Sequence, residues 1–180
     1  IPDSVTDISE GVFYACTDLT SVSISDGVTR IGRHAFYDCL SLTSVVLTKG
    51  VTSISEGAFR NCVSLTEVVI LEGLTSINDG AFKGCIGITE LNIPKGVTSI
   101  ASEAFVNCSG LTHVDIPEGM TIYYMAFYGC TGITELNIPE GVLVDNRAFY
   151  SCIGITKLNI SKGVTIGYAA FYGCTGITGL

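Results

Sequence analysis

The chain has 180 residues, 47% of them hydrophobic and 14% charged, with a formal net charge of -8 at pH 7. That balance fits a folded globular chain rather than a disordered one, and 21 Gly against 4 Pro excludes collagen-like and proline-rich readings. Nine Lys and Arg against 17 Asp and Glu argue against a surface for nucleic acid or an anionic membrane, and no apolar run reaches the length of a membrane span.

The cysteines reveal an internal repeat. They stand at Cys16, Cys39, Cys62, Cys85, Cys108, Cys130, Cys152 and Cys174, with spacings of 23 residues up to Cys108 and 22 beyond it. Each has a phenylalanine three residues before it: Phe13, Phe36, Phe59, Phe82, Phe105, Phe127, Phe149 and Phe171. No Phe or Cys falls outside this register. Aligned on it, one unit reads L-T-x-V-x-I-P-x-G-V-T-x-I-x-x-x-A-F-x-x-C-x-G, with Thr after the leading Leu or Ile in every unit.

Taken in chain order, the unit opens on a segment such as Leu42 to Leu47 or Ile133 to Ile138, whose apolar positions one, four and six predict a short strand. Pro-Lys-Gly or Pro-Glu-Gly follows, as at Pro94 to Gly96, and ends it in a turn. The V-T-x-I stretch then predicts a second, shorter strand. The next position holds Ser9, Gly32, Ser55, Asn78, Ala101, Tyr123, Asp145 or Gly167, mostly helix N-cap types, so one helical turn is expected through A-F-x-x-C.

A unit this small cannot bury its apolar face alone, but stacked copies close a continuous core. The expected fold is a β-rich α/β solenoid of eight stacked units of 22 to 23 residues. A parallel sheet forms its concave face, and each unit adds a short second strand and a single helical turn. With strands repeating about every 4.8 Å, eight rungs make a body roughly 38 Å long. The residue missing from the shorter units is read as lying between the V-T pair and the following Ile, with a change of curvature or twist near Ser99 to Tyr123.

The repeated unit resembles the BspA-like (treponemal-type) leucine-rich repeat, over essentially the whole chain. The resemblance implies a leucine-rich-repeat solenoid from a cell-surface or secreted protein, often an adhesin toward host matrix glycoproteins such as fibronectin or fibrinogen. It implies no shared catalytic residues and no cofactor, so the chain is not expected to be an enzyme.

Eight cysteines are an even number, yet in a stacked ladder their Cβ vectors run parallel, which does not suit the dihedral near 90° that a disulfide needs. Buried free thiols, donating weakly to backbone carbonyls, are expected instead. The outward positions of the first strand carry the candidate ligand-binding strip: Glu67, Glu90, Asn92, His113, Asp115, Glu135, Asn137 and Lys157. A protein or glycoprotein ligand is one reading of this strip, and a solvated sheet face whose ladders satisfy each other is the other. His113 with Glu90, Glu135 and Asp115 suggests a divalent-cation site only superficially, since a flat strand face splays its side chains, and no metal site is assigned. Tyrosines after the Phe positions (Tyr14, Tyr37, Tyr128, Tyr150, Tyr172), with Tyr124 and Tyr168 nearby, either anchor a partner or pack between rungs.

The whole of residues 1–180 reads as one solenoid domain, opening at Ile1-Pro2 in mid-repeat and stopping inside a strand, as an uncapped fragment of a longer array would. Open ends make end-to-end self-association of a structural solenoid the alternative to ligand binding.

Overall fold

The computed structural model describes residues 1–179; Leu180, with which the domain read from the sequence ends, lies outside the described residues. The chain coils into a parallel β-solenoid of about seven turns. Its first strands are β1 (Asp7–Ile8), β2 (Arg30–Ile31), β3 (Ser44–Leu47), β4 (Ser53–Ile54) and β5 (Glu67–Ile70). They are followed by β6 (Ser76–Ile77), β7 (Glu90–Asn92), β8 (Ser99–Ile100), β9 (His113–Asp115) and β10 (Thr121–Ile122). The last are β11 (Glu135–Ile138), β12 (Leu143–Val144), β13 (Lys157–Ile160) and β14 (Thr165–Ile166).

The two strands of the unit behave differently from their lengths. The two-residue strands form one continuous eight-stranded parallel sheet, β1-β2-β4-β6-β8-β10-β12-β14. The longer strands form three separate pairs, β3-β5, β7-β9 and β11-β13. The threonine column follows the same division. Thr43, Thr66, Thr112 and Thr156 each donate a hydroxyl to the carbonyl of the threonine one rung earlier at 3.0 to 3.2 Å. No such bond joins Thr89 to Thr66 or Thr134 to Thr112, at the two places where the sheet is interrupted.

No helix forms among the described residues, and the expected helical turn through A-F-x-x-C is corrected. The backbone gives the reason. In every rung the residues two before and two after the phenylalanine have positive φ, for example His34 (53°) and Asp38 (57°), or Glu103 (59°) and Asn107 (60°). Left-handed residues at that spacing break the run of right-handed conformations an α-helix requires. The backbone donors divide accordingly. Ala58, Arg60 and Cys62 donate to carbonyls three residues back in their own rung, while Gly57, Phe59 and Asn61 donate across to Asp79, Ala81 and Lys83 of the next. Three bonds of this second kind cross each of the seven junctions, and all of them run from an N–H to a carbonyl one rung toward the C-terminus.

Inside the coil the phenylalanines stack face to face, with centroids 5.1 to 5.5 Å apart and planes within 15° of parallel. Phe36, Phe59, Phe82, Phe105, Phe127 and Phe149 are fully buried, and Phe13 and Phe171 at the ends of the stack partly so. All eight cysteines are free, seven of them buried and Cys16 exposed. Each buried thiol donates to the phenylalanine carbonyl of the rung before it at 3.0 to 3.2 Å, so no polar side-chain group of this core is left without a partner. Desolvation pushes up the thiols of Cys39, Cys85, Cys108, Cys130, Cys152 and Cys174, those of Cys39 and Cys108 to about 12.

The change of repeat length is a change of turn. Thr121 pairs with Ser99 and Ile122 with Ile100, so the residue lost is the equivalent of Thr98, one place earlier than the sequence suggested. In the longer units Val28, Val51 and Val97 close a turn onto the residue three back. There a Cβ on Gly50 would lie 2.1 Å from the Asp26 carbonyl oxygen. In the shorter units Gly119, Gly141 and Gly163 instead take φ of 68° to 73°. Glycine is thus required for clearance at Gly50 and for backbone conformation in the shorter units.

Candidate binding face

On the longer strands side chains alternate across the sheet, burying Val68, Leu91, Val114, Leu136 and Leu158 and turning their neighbours outward. The structure brings the sequence-read candidates together in blocks. Glu90, Asn92, His113 and Asp115 share the β7-β9 pair, with Glu90 opposite His113 and Asn92 opposite Asp115. Glu135, Asn137 and Lys157 share β11-β13, and Glu67 stands apart on β5 opposite Ser44.

Within each block the polar groups are partly tied. His113 Nε2 lies 3.0 Å from Asp115 Oδ1 along the same strand. Lys157 Nζ donates to Glu135 Oε1 at 2.6 Å, and this contact lowers the Glu135 carboxyl below its ordinary range. Asn159, which the sequence-read strip omitted, donates its amide to Asn137 Oδ1 at 2.6 Å; its place in the same outward column was the available signal. No three His, Cys, Asp or Glu side chains gather to hold a metal ion among the described residues. His113 turns to Asp115 and Glu135 to Lys157 rather than toward a common point.

Besides a hollow of about 280 Å3 bounded by Glu67, Val69, Glu90 and Asn92, two further shallow hollows open along this face. One, of about 290 Å3, is bounded by Glu72, Asn92, Pro94 and Asp115. The other, of about 280 Å3, is bounded by Asp115, Asn137, Pro139 and Asn159. Asp115 lines both, and its side chain is 65% exposed.

Five tyrosines of the flank stack on one another, while Tyr124 and Tyr168 are exposed. Tyr14 stacks on Tyr37 at 4.9 Å, and Tyr150 stacks on Tyr128 at 5.3 Å and on Tyr172 at 5.0 Å. No helix among the described residues is long and apolar enough to cross a membrane.

Comparison with known proteins accords with this geometry. A leucine-rich repeat protein of T. pallidum is 27% identical and superposes with a TM-score of 0.71, over 96% of this chain and 72% of its own. The pneumococcal vaccine antigen PcpA shares the fold at 18% identity and a TM-score of 0.68, over 86% of this chain and 44% of its own. No curated protein matches the chain by sequence. The BspA type leucine rich repeat region matches residues 1–109 and 52–178, in six copies. The chain therefore belongs to the BspA-type leucine-rich repeat family, a protein-interaction repeat fold.

Proposed function

We propose that the chain is a non-enzymatic protein-binding domain of a cell-surface or secreted protein, adhering to host matrix glycoproteins through the outward side chains of its longer strands. The observation that carries this reading is the position of Asp115. Its exposed carboxylate stands between two hollows whose other edges are the amides of Asn92, Asn137 and Asn159. Amides and carboxylates so placed offer donors and acceptors to a glycoprotein surface. Because each sits on a strand locked to its neighbours, little side-chain freedom is lost on binding. Glu67, Glu90, His113, Glu135 and Lys157 form the neighbouring column of the same face. The surface location rests on family membership.

Immobilised fibronectin and fibrinogen, titrated with the chain and with a variant carrying Asn92→Lys, Asp115→Lys and Asn137→Lys, test the reading. Saturable binding by the parent that is lost in the folded variant is expected. Equal binding by both would remove the site from this face, and no binding by the parent would remove the adhesin reading. End-to-end association of a structural solenoid, the second reading, predicts a mass by light scattering that grows with concentration.

A further inference from the structure

Away from this face, the ribbon of turns that carries the phenylalanines holds a groove of about 270 Å3. It exists because two successive rungs have glycine at the left-handed position two before the phenylalanine, Gly57 and Gly80, where the flanking rungs place His34 and Glu103. The His34 ring leans into the space above Gly57, since a Cβ there would meet His34 Cδ2 at 2.5 Å. Above Gly80 a Cβ would meet nothing closer than Lys83 Cβ at 3.9 Å, so the space there is open.

Charges of both signs line it in a fixed pattern. The residue before each glycine is a carboxylate, Glu56 and Asp79, and the residue three after each is a cation, Arg60 and Lys83. Several are committed within the protein. Glu56 Oε1 accepts from Arg33, Asp79 Oδ1 accepts from the Ser102 N–H, and Lys83 pairs with Glu103 at the groove's end. Among the described residues Arg60 has no carboxylate partner; its guanidinium lies over the Tyr37 ring 5.5 Å from the centroid, and its Nε is buried without an acceptor. The second oxygen of Asp79 is likewise uncommitted. Among the described residues the groove therefore offers one cation without a carboxylate partner and, on Asp79 and Glu56, carboxylate oxygens free to accept, in a volume suited to a small molecule. A simple anion is repelled by Glu56 and Asp79, and a simple cation by Arg60 and Lys83. Only a ligand carrying both charges finds a complement to each.

We propose that this groove binds a small zwitterion of the α-amino acid type, its carboxylate taken by Arg60 and its ammonium group by Asp79 with Glu56 beside it. The planar guanidinium, already held flat on Tyr37, is suited to a carboxylate.

Titration calorimetry of the chain with free L-alanine and with L-alanyl-L-alanine, beside acetate and methylammonium alone, tests the proposal. At least one zwitterion is expected to bind with Kd on the order of 1 mM or tighter, and neither half-ligand to do so. Alanine and the dipeptide separate a free amino acid from a short peptide as the source of the shared chemistry. Arg60→Met should weaken binding by at least about tenfold. Gly80→Met should abolish it while leaving the circular dichroism spectrum intact, because Met125 already occupies the same left-handed position two rungs on. Binding of neither zwitterion, equal binding of acetate alone, or unchanged binding in both variants would overturn the assignment.

Discussion

The Cys85 thiol donates to the Phe59 carbonyl at 3.0 Å, while the Phe59 N–H points the opposite way and donates to Ala81 at 2.8 Å. Both bonds cross the same junction, so each pair of neighbouring rungs is tied by a sulfur donating toward the N-terminus and by backbone N–H groups donating toward the C-terminus. This arrangement explains why cysteine recurs with phenylalanine: a small, weakly polar donor fits a carbonyl inside an otherwise apolar stack.

Removing one ring from the middle of the stack tests how far the core depends on it. Phe82→Ala should destabilise the fold by about 3 to 5 kcal/mol, because the fully buried ring leaves a cavity between Phe59 and Phe105. Phe13→Ala should cost less, since Phe13 is only partly buried and stacks on one side. Equal shifts in the two denaturation midpoints would contradict the stacked core.

Thiol accessibility gives a second check. With Cys16 exposed and the other seven buried, a thiol reagent should titrate about one group per native chain and eight after unfolding in denaturant. A disulfide anywhere in the chain would lower the second number by two.

Stability should fall in alkali. A buried thiol whose folded pKa is raised keeps its proton where the unfolded chain has lost it, so the folded state binds more protons above the unfolded value near 9. The contribution of Cys39 and Cys108 is fully present below pH 9 and is lost as pH rises toward about 12. Urea midpoints measured between pH 8 and about 11 should therefore decline, and less so in a Cys108→Ala background.

The two uses of glycine can be separated by asparagine, which tolerates a left-handed backbone but carries a Cβ. Gly119→Asn should cost about 1 kcal/mol or less, because φ is +68° and nothing lies within 4 Å of the added atom. Gly50→Asn should cost well above that, because its Cβ would collide with the Asp26 carbonyl. Similar midpoints for the two variants would show that clearance is not what Gly50 supplies.

The rung itself was legible in the sequence, because Phe, Cys and the Thr after a leading Leu or Ile recur in every unit and each of those positions faces a copy of itself. The ribbon of turns was not. Its left-handed positions hold His34, Glu103, Met125, Asp38, Asn61 and Ser151 as readily as glycine, so composition carries no mark of the conformation. They are held there by bonds to neighbouring rungs, which a reading of one unit at a time cannot register. The interruptions of the threonine column escaped for a related reason, since Thr66 and Thr89 are the same residue in the same frame and differ only in whether their rungs pair. Of the outward strip, the columns were readable from alternation, but its division into blocks was not. The groove above Gly80 was marked only by two glycines and four charges at matching positions in adjacent units.

The backbone bonds of the turn ribbon all face one way, and the peptide groups that make them point their carbonyls toward the N-terminal side and their N–H groups toward the C-terminal side. In the strands successive peptides alternate and cancel, but along this ribbon their dipoles add as they do in a helix. The solenoid is an electrically polar rod whose axis carries a positive sense toward its C-terminal rungs. Units of this kind can be exchanged or duplicated along the rod, but one inserted in reverse would set N–H against N–H on one side and carbonyl against carbonyl on the other. Growth of such an array by repeat duplication is therefore confined to a single orientation, whatever the side chains on its surface.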